Sequence, residues 1–263
     1  MDIVEVAKNT IPSPMEILEE AIANLGIQDM GIERILENFE ALVSKIEETA
    51  FRIYSSYENK AFNKLLSLWM EENKNTITGI LESKERVESK REKLTNLLLE
   101  LVPLIREMEF KAGQMRKSRG GAAFEEIIAL LLKQVGIPVE KPSKKTKKLM
   151  KRIDYVSPDA ETAEKTPDKA IFLAMKRTLR ERWKQVVPEQ MKGARLYLVT
   201  LDEKMSEEKA NEIHETGMIV YVPSKVKELP HLKDKPWVRK LSELPRDIRN
   251  SVPKPPSKQL RFF

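Results

Sequence analysis

The chain has 263 residues, 41% of them hydrophobic and 33% charged, which is enough apolar material for a buried core beneath a surface dense in charge. It has no cysteine and only two histidines, His214 and His231, which excludes disulfides, thiol catalysis and zinc sites of the Cys-rich or His-rich kind; chemistry must run on carboxylates, lysines, arginines and hydroxyls, a set suited to Mg²⁺. A net charge of +6, from 47 basic against 41 acidic residues, suits an anionic partner without demanding one.

The first 115 residues read as helical. Ile17, Leu18, Ala21, Ile22 and Leu25 recur at helical spacing, with Gly26 as the stop. A second run carries Ile32, Ile35, Leu36, Phe39, Leu42, Val43 and Ile46, and a third Phe62, Leu65, Leu66, Trp69 and Met70. A fourth runs from Leu94 to Met108, with Pro103 expected to kink or split it. Glu and Lys fill the faces between, so a small helical bundle without chemistry of its own is predicted over 1–115.

Near residue 116 the pattern changes. RKSRGG is predicted to break the helix at its two glycines, and FEEIIALLLKQVG to form a short amphipathic helix ending at Gly136. Then come β-like stretches, IPVEK, RIDYV and KAIFLAMK, the first two separated by the basic run Lys144 to Arg152. A charged helix from about Leu179 to Met191, the strand ARLYLVTL, the helix SEEKANEIHETG and the strand MIVYVP follow, giving an α/β domain on a central mixed sheet over 116–263. The Pro- and Lys-rich tail from Ser224, with scattered anchors such as Trp237, Leu241 and Leu244, is expected to be loop with room for a short helix and to have a poorly packed end. No apolar run reaches the roughly 18 residues of a membrane span. The opening MDIVEVAKNT lacks the basic and apolar regions of a secretion signal, so a cytoplasmic location is expected. Abundant Lys and Glu without Cys further suit a thermophile. Phosphate-binding GxxxxGK[ST] and dinucleotide-binding GxGxxG motifs are absent.

Three residues of the α/β part could share one pocket. Asp154 sits inside the apolar stretch RIDYV, where a carboxylate is costly unless paired or bound to metal. Lys176 ends the strand IFLAMK, and Glu189 lies thirteen positions further on. Two acids and a lysine suit phosphodiester hydrolysis: the acids hold Mg²⁺, and the lysine orients a water or stabilises charge developing at phosphorus. A straight helix would carry Glu189 about 20 Å from Lys176, so the chain is expected to turn back, with Pro188 as the break.

The spacing D-x₂₁-K-x₁₂-E, from Asp154, Lys176 and Glu189, resembles the permuted PD-(D/E)xK motif of type II restriction endonucleases in the EcoRII/NgoMIV-like group, whose sites are CCGG and CCWGG. In that group the second acid moves to the following helix; here Ala174 stands two positions before the lysine, and Ile153 stands where the family often has Pro. The stretch KRTLRERWKQV is similar to the group's K-x₃-R-x-R, which implies base reading by Arg180, Glu181 and Arg182. Arginine can donate two hydrogen bonds to guanine, and a carboxylate can accept from cytosine N4. RKSRGGAAFEE, with the basic cluster Arg116, Lys117 and Arg119, resembles the upstream element, implying base or phosphate contacts from Arg116 and Arg119 and a supporting acid at Glu125, or at Glu126 one register away. The resemblance covers about residues 116–222. It implies a restriction-endonuclease-like αβα core, Mg²⁺ held by Asp154 and Glu189, Lys176 as the catalytic lysine, double-stranded DNA as substrate, and a homodimer on a palindrome, with tetramers known in the group. A structure-selective junction or repair nuclease would need the same Asp and Lys without the base-reading segment. A non-catalytic DNA-binding scaffold would need neither.

Overall fold

The computed structural model describes residues 2–149, 153–179 and 193–252, of which 117–122 and 149 in their backbone only. The chain divides into two compact units, one made of Met1–Asn24 with Glu48–Gly120, the other of Leu25–Glu47 with Gly121–Phe263. None of the described helices is long and apolar enough to cross a membrane.

The first unit is helical. Asp2 caps α1 (Ile3–Lys8) by accepting from the N–H groups of Val4 and Glu5. Ser13 and Glu16 form a reciprocal capping pair at the start of α2 (Pro14–Asn24), and Gly26 beyond it takes the left-handed conformation that a residue without Cβ adopts freely. The second and third expected runs are redistributed. A short α3 (Ile32–Glu37), which belongs to the second unit, precedes one 34-residue helix, α4 (Phe39–Glu72), whose residues up to Glu47 also belong to the second unit; no Gly or Pro interrupts residues 39–72. α5 (Lys74–Glu82) and α6 (Val87–Leu99) follow, and the break expected near Pro103 falls at Glu100. Pro103 lies in the first turn of α7 (Leu101–Gln134), where its missing N–H has no intrahelical partner to lose.

The glycine pair does not end a helix: α7 runs 34 residues, straight through Gly120 and Gly121. Glycine costs only about 1 kcal/mol in a helix interior. Buried Met108 and Ala112 on one side, and Phe124, Ile127, Ile128 and Leu131 on the other, hold the helix against that cost. The stop comes at Gly136, with φ +77°.

The second unit contains a five-stranded mixed sheet in the order β1 (Tyr155–Ser157), β2 (Ile171–Met175), β3 (Arg195–Val199), β4 (Ile219–Val222), β5 (Val238–Lys240). β1 is antiparallel to β2, and the remaining pairs are parallel. Phe172, Leu173 and Ala174 of β2 are wholly buried, as expected of a strand covered on both faces. IPVEK forms no strand. With Pro138 inside it and Pro142 just after, neither able to donate to a ladder, it makes a single bridge between Glu140 and Val156. α8 (Lys144–Leu149) occupies the basic run, and α9 (Ala160–Lys165) starts at Asp159, whose carboxylate accepts from the N–H of Thr162 at 2.7 Å. α10 (Glu207–Glu215) lies where SEEKANEIHETG is predicted helical.

The tail is a correction. α11 (Ser224–Lys227), β5 and α12 (Leu244–Ser251) are packed elements, and Val226, Leu232, Val238, Leu241, Leu244 and Ile248 are at most 2% exposed. Val226, Leu232 and Val238 follow no single period, while Leu241, Leu244 and Ile248 recur at helical spacing; β4 supplies the edge on which β5 pairs.

Candidate active site

Strand pairing assembles the site. The β1–β2 register sets Tyr155 opposite Leu173, and the N–H of Asp154 continues the ladder by donating to the Leu173 carbonyl at 2.9 Å. The start of one strand therefore meets the end of the other. Lys176, one residue beyond β2, is held by its own N–H donating to the Val199 carbonyl at 2.8 Å. Asp154 Oδ2 accepts from the N–H of Met175 at 2.6 Å and from Lys176 Nζ at 2.8 Å, and Nζ also donates to the Met175 carbonyl at 2.9 Å. The Asp154 side chain is 14% exposed and that of Lys176 20%, so the pair is sheltered but open on one side.

α7 supplies a second acid. Glu125 Oε1 lies 4.0 Å from Lys176 Nζ. Burial, reinforced by the negative charge of Asp154, pushes its carboxyl up to about 7. Its neighbour Glu126 looks elsewhere: Tyr155 Oη donates to it at 2.6 Å, and Lys141 Nζ reaches it at 2.8 Å while lying 4.0 Å above the Tyr155 ring. Burial alone would raise the Glu126 carboxyl, but the hydrogen bonds from Lys141 and Tyr155 outweigh it and hold the group below the usual carboxylate range. Two adjacent glutamates are thus driven in opposite directions by their partners. The register leaves Glu125 beside Asp154 and Lys176 and gives Glu126 to a bracket between α7 and β1.

Of the other residues singled out by sequence, Arg180, Glu181, Arg182 and Glu189 lie outside the described residues, as does the side chain of Arg119. Arg116 is described. Its guanidinium pairs with Glu58 at 2.6 Å and with Glu109, two carboxylates of its own helical unit that keep it firmly charged. Sequence reasoning missed Tyr155, Lys141 and the residues that hold the chain beyond Lys176. Asp202 accepts from the N–H of Leu179 at 2.7 Å, and Arg177 pairs with Glu47 at 3.0 Å. A buried tyrosine beside a candidate metal ligand is itself a signal, since its hydroxyl needs a partner. Glu47 had none, being 130 residues away in sequence.

Among the described residues, no group of three His, Cys, Asp or Glu side chains gathers to hold a metal ion. Asp154 and Glu125 nevertheless offer oxygen donors of the hard kind that Mg²⁺ takes. The Glu125 carboxyl, raised first by burial and second by the charge of Asp154, is one that a bound cation would lower. The donor set therefore fits a hard divalent ion, with Ala174, fully buried and without a donor, contributing nothing where the commoner motif has an acid.

Residues 85–244, more than half of the chain, match the family described as EcoRII C terminal. The type II restriction enzyme SsoII of Shigella sonnei is 26% identical over 224 residues, covering 81% of this chain and 69% of that enzyme. Among solved structures, metal-depleted Ecl18kI in complex with uncleaved DNA superposes with a TM-score of 0.74 at 22% identity, over 99% of this chain and 85% of that one. The PspGI–substrate DNA complex gives 0.66 at 23% identity, over 94% and 95%. These likenesses establish the fold, a restriction-endonuclease-like mixed sheet with helices and a helical N-terminal region.

Proposed function

We propose, because the chain belongs to the EcoRII C-terminal family of type II restriction endonucleases, that it hydrolyses phosphodiester bonds of duplex DNA with Mg²⁺ at a short palindrome with a CC/GG core, of the CCGG or CCWGG type. The observation that carries this reading is the convergence of Asp154, Lys176 and Glu125 at the paired ends of β1 and β2.

In this reading Asp154 and Glu189 hold the cation, with Glu125 as the supporting acid. A bound divalent ion supplies polarisation of the scissile phosphate and a lowered pKa for the attacking water. Lys176, aimed by Asp154 and the Met175 carbonyl, orients that water and offsets negative charge developing at phosphorus. Arg180 and Arg182 read guanine edges, Glu181 accepts from cytosine, and Arg119 adds a backbone contact. Arg116, already paired with Glu58 and Glu109, would reach DNA only by exchanging a carboxylate for a phosphate. Residues 116–263 carry the nuclease, residues 1–115 add grip on DNA or subunit contacts, and the enzyme works in the cytoplasm as a homodimer.

Digesting plasmid DNA with purified protein and Mg²⁺ tests the reading. Discrete fragments whose mapped ends share a CC/GG core are expected. A smear, or cutting confined to junctions and other distorted structures, would reject site specificity.

A further inference from the structure

The stretch from Lys141 to Arg152 holds seven basic residues in twelve and no acid. Lys141 is engaged by Glu126, which ties the foot of the run to the active-site bracket. Next comes α8, pinned on its inner side: Pro142 and Thr146 are buried, and Ser143 Oγ donates to Glu164 at 2.8 Å while accepting from the N–H of Thr146 at 3.1 Å. Lys145 also reaches Glu164, at 2.9 Å. Lys144, Lys147 and Lys148 stand exposed, and among the described residues none has a carboxylate within ion-pair distance.

Lys144 lies three and four positions before Lys147 and Lys148, so these like charges share a helix face and cost a few tenths of a kcal/mol per pair. A pinned helix displaying unneutralised cations is complementary to a polyanion. Asp154 follows Lys148 by six residues, a span of at most about 20 Å of chain, shorter than the roughly 34 Å of one turn of B-DNA. A duplex with one phosphate at Asp154 and Lys176 therefore has further phosphates within range of α8.

We infer that α8 is a phosphate-contact surface for the DNA flanking the cleavage site, with Lys144, Lys147 and Lys148 supplying sequence-independent affinity. The inference rests on the nuclease reading. Each phosphate neutralised releases counterions, so the dependence of affinity on salt counts the contacts.

The test uses the full chain without divalent metal, on duplexes with and without the cleavage site, each extending a full turn beyond the centre. Lys144→Gln, Lys147→Gln and Lys148→Gln combined are expected to weaken binding by a similar factor on both duplexes. The slope of log affinity against log salt should become shallower by about two to three units. Replacing the same three lysines by arginine should preserve both. Should the triple variant melt early, Lys147→Gln alone decides, with an expected change of about one unit. An unchanged slope would overturn the inference and leave these lysines as a solvated face or a site for an acidic protein. A loss confined to the site-bearing duplex would overturn it equally, by assigning them to base reading. If the unaltered protein bound neither duplex, the nuclease reading itself would fall.

Discussion

Asp154 is a carboxylate held 14% exposed just before the start of a buried strand, tolerable because a backbone N–H and the Lys176 ammonium both bind one of its oxygens. Asp154→Asn or Lys176→Ala should lower the single-turnover cleavage rate at saturating Mg²⁺ at least about a hundredfold, with DNA binding in the absence of metal largely kept. Rates like those of the unaltered protein would remove both residues from the chemistry. Glu125 allows a test that needs no DNA. Its folded-state carboxyl is raised to about 7, by burial first and Asp154 second, above the ordinary range of the unfolded chain. Between those values the folded state keeps a proton that the unfolded state has lost. Stability of the metal-free protein therefore falls as pH rises through that window, and the loss is complete above about 7. Glu125→Gln should raise stability at about pH 8 by on the order of 2 kcal/mol and change little near pH 4. Thermal melts showing the same difference at both pH values would contradict the assigned cause. That Asp154 and Lys176 could meet was legible in sequence, because one apolar stretch carries an acid and the next ends on a lysine. That Glu125 rather than Glu126 joins them was not, since adjacent helix positions differ by a rotation that only packing decides.

At the level of elements, α7 and the tail depart most from local expectation. The glycines of RKSRGG are poor helix formers, yet anchors on both sides carry α7 through them. In the tail, α12 is seated by Leu244 and Ile248, both fully buried, while Tyr221 Oη donates to Asp247 at 2.8 Å and Arg239 pairs with the same carboxylate. Leu244→Ala or Ile248→Ala should each cost roughly 2–5 kcal/mol, read as a lowered denaturation midpoint. A midpoint unchanged by either would mean that the end of the chain is loosely packed after all. Leu244 and Ile248 recur at helical spacing, so a short helix was legible there; that it is fully buried was not, because burial is set by three-dimensional neighbours.

For the molecule as a whole, one chain holds one set of Asp154, Lys176 and Glu125, which on the proposed function would serve one strand of a duplex. A palindrome presents two equivalent bonds related by a dyad, and a two-fold dimer matches that symmetry. Light scattering of the protein mixed with a palindromic duplex should therefore give at least two chains per duplex, and the two strands should be cut at the same offset from the centre. A single chain per duplex that nicks one strand would contradict the dimer.

By itself the amino-acid sequence determined the chemistry available and its spacing: no thiols, few imidazoles, an acid and a lysine at neighbouring strand ends, and a family resemblance carried by those residues and their basic flanks. Such properties are local or periodic, and a chain read in one dimension retains them. Tertiary structure alone decided which glutamate of a pair faces the lysine, that Tyr155 and Lys141 bracket α7 to β1, and that the tail is core rather than fringe. Those outcomes depend on burial and charge pairing, which are set by three-dimensional neighbours that a one-dimensional reading does not supply.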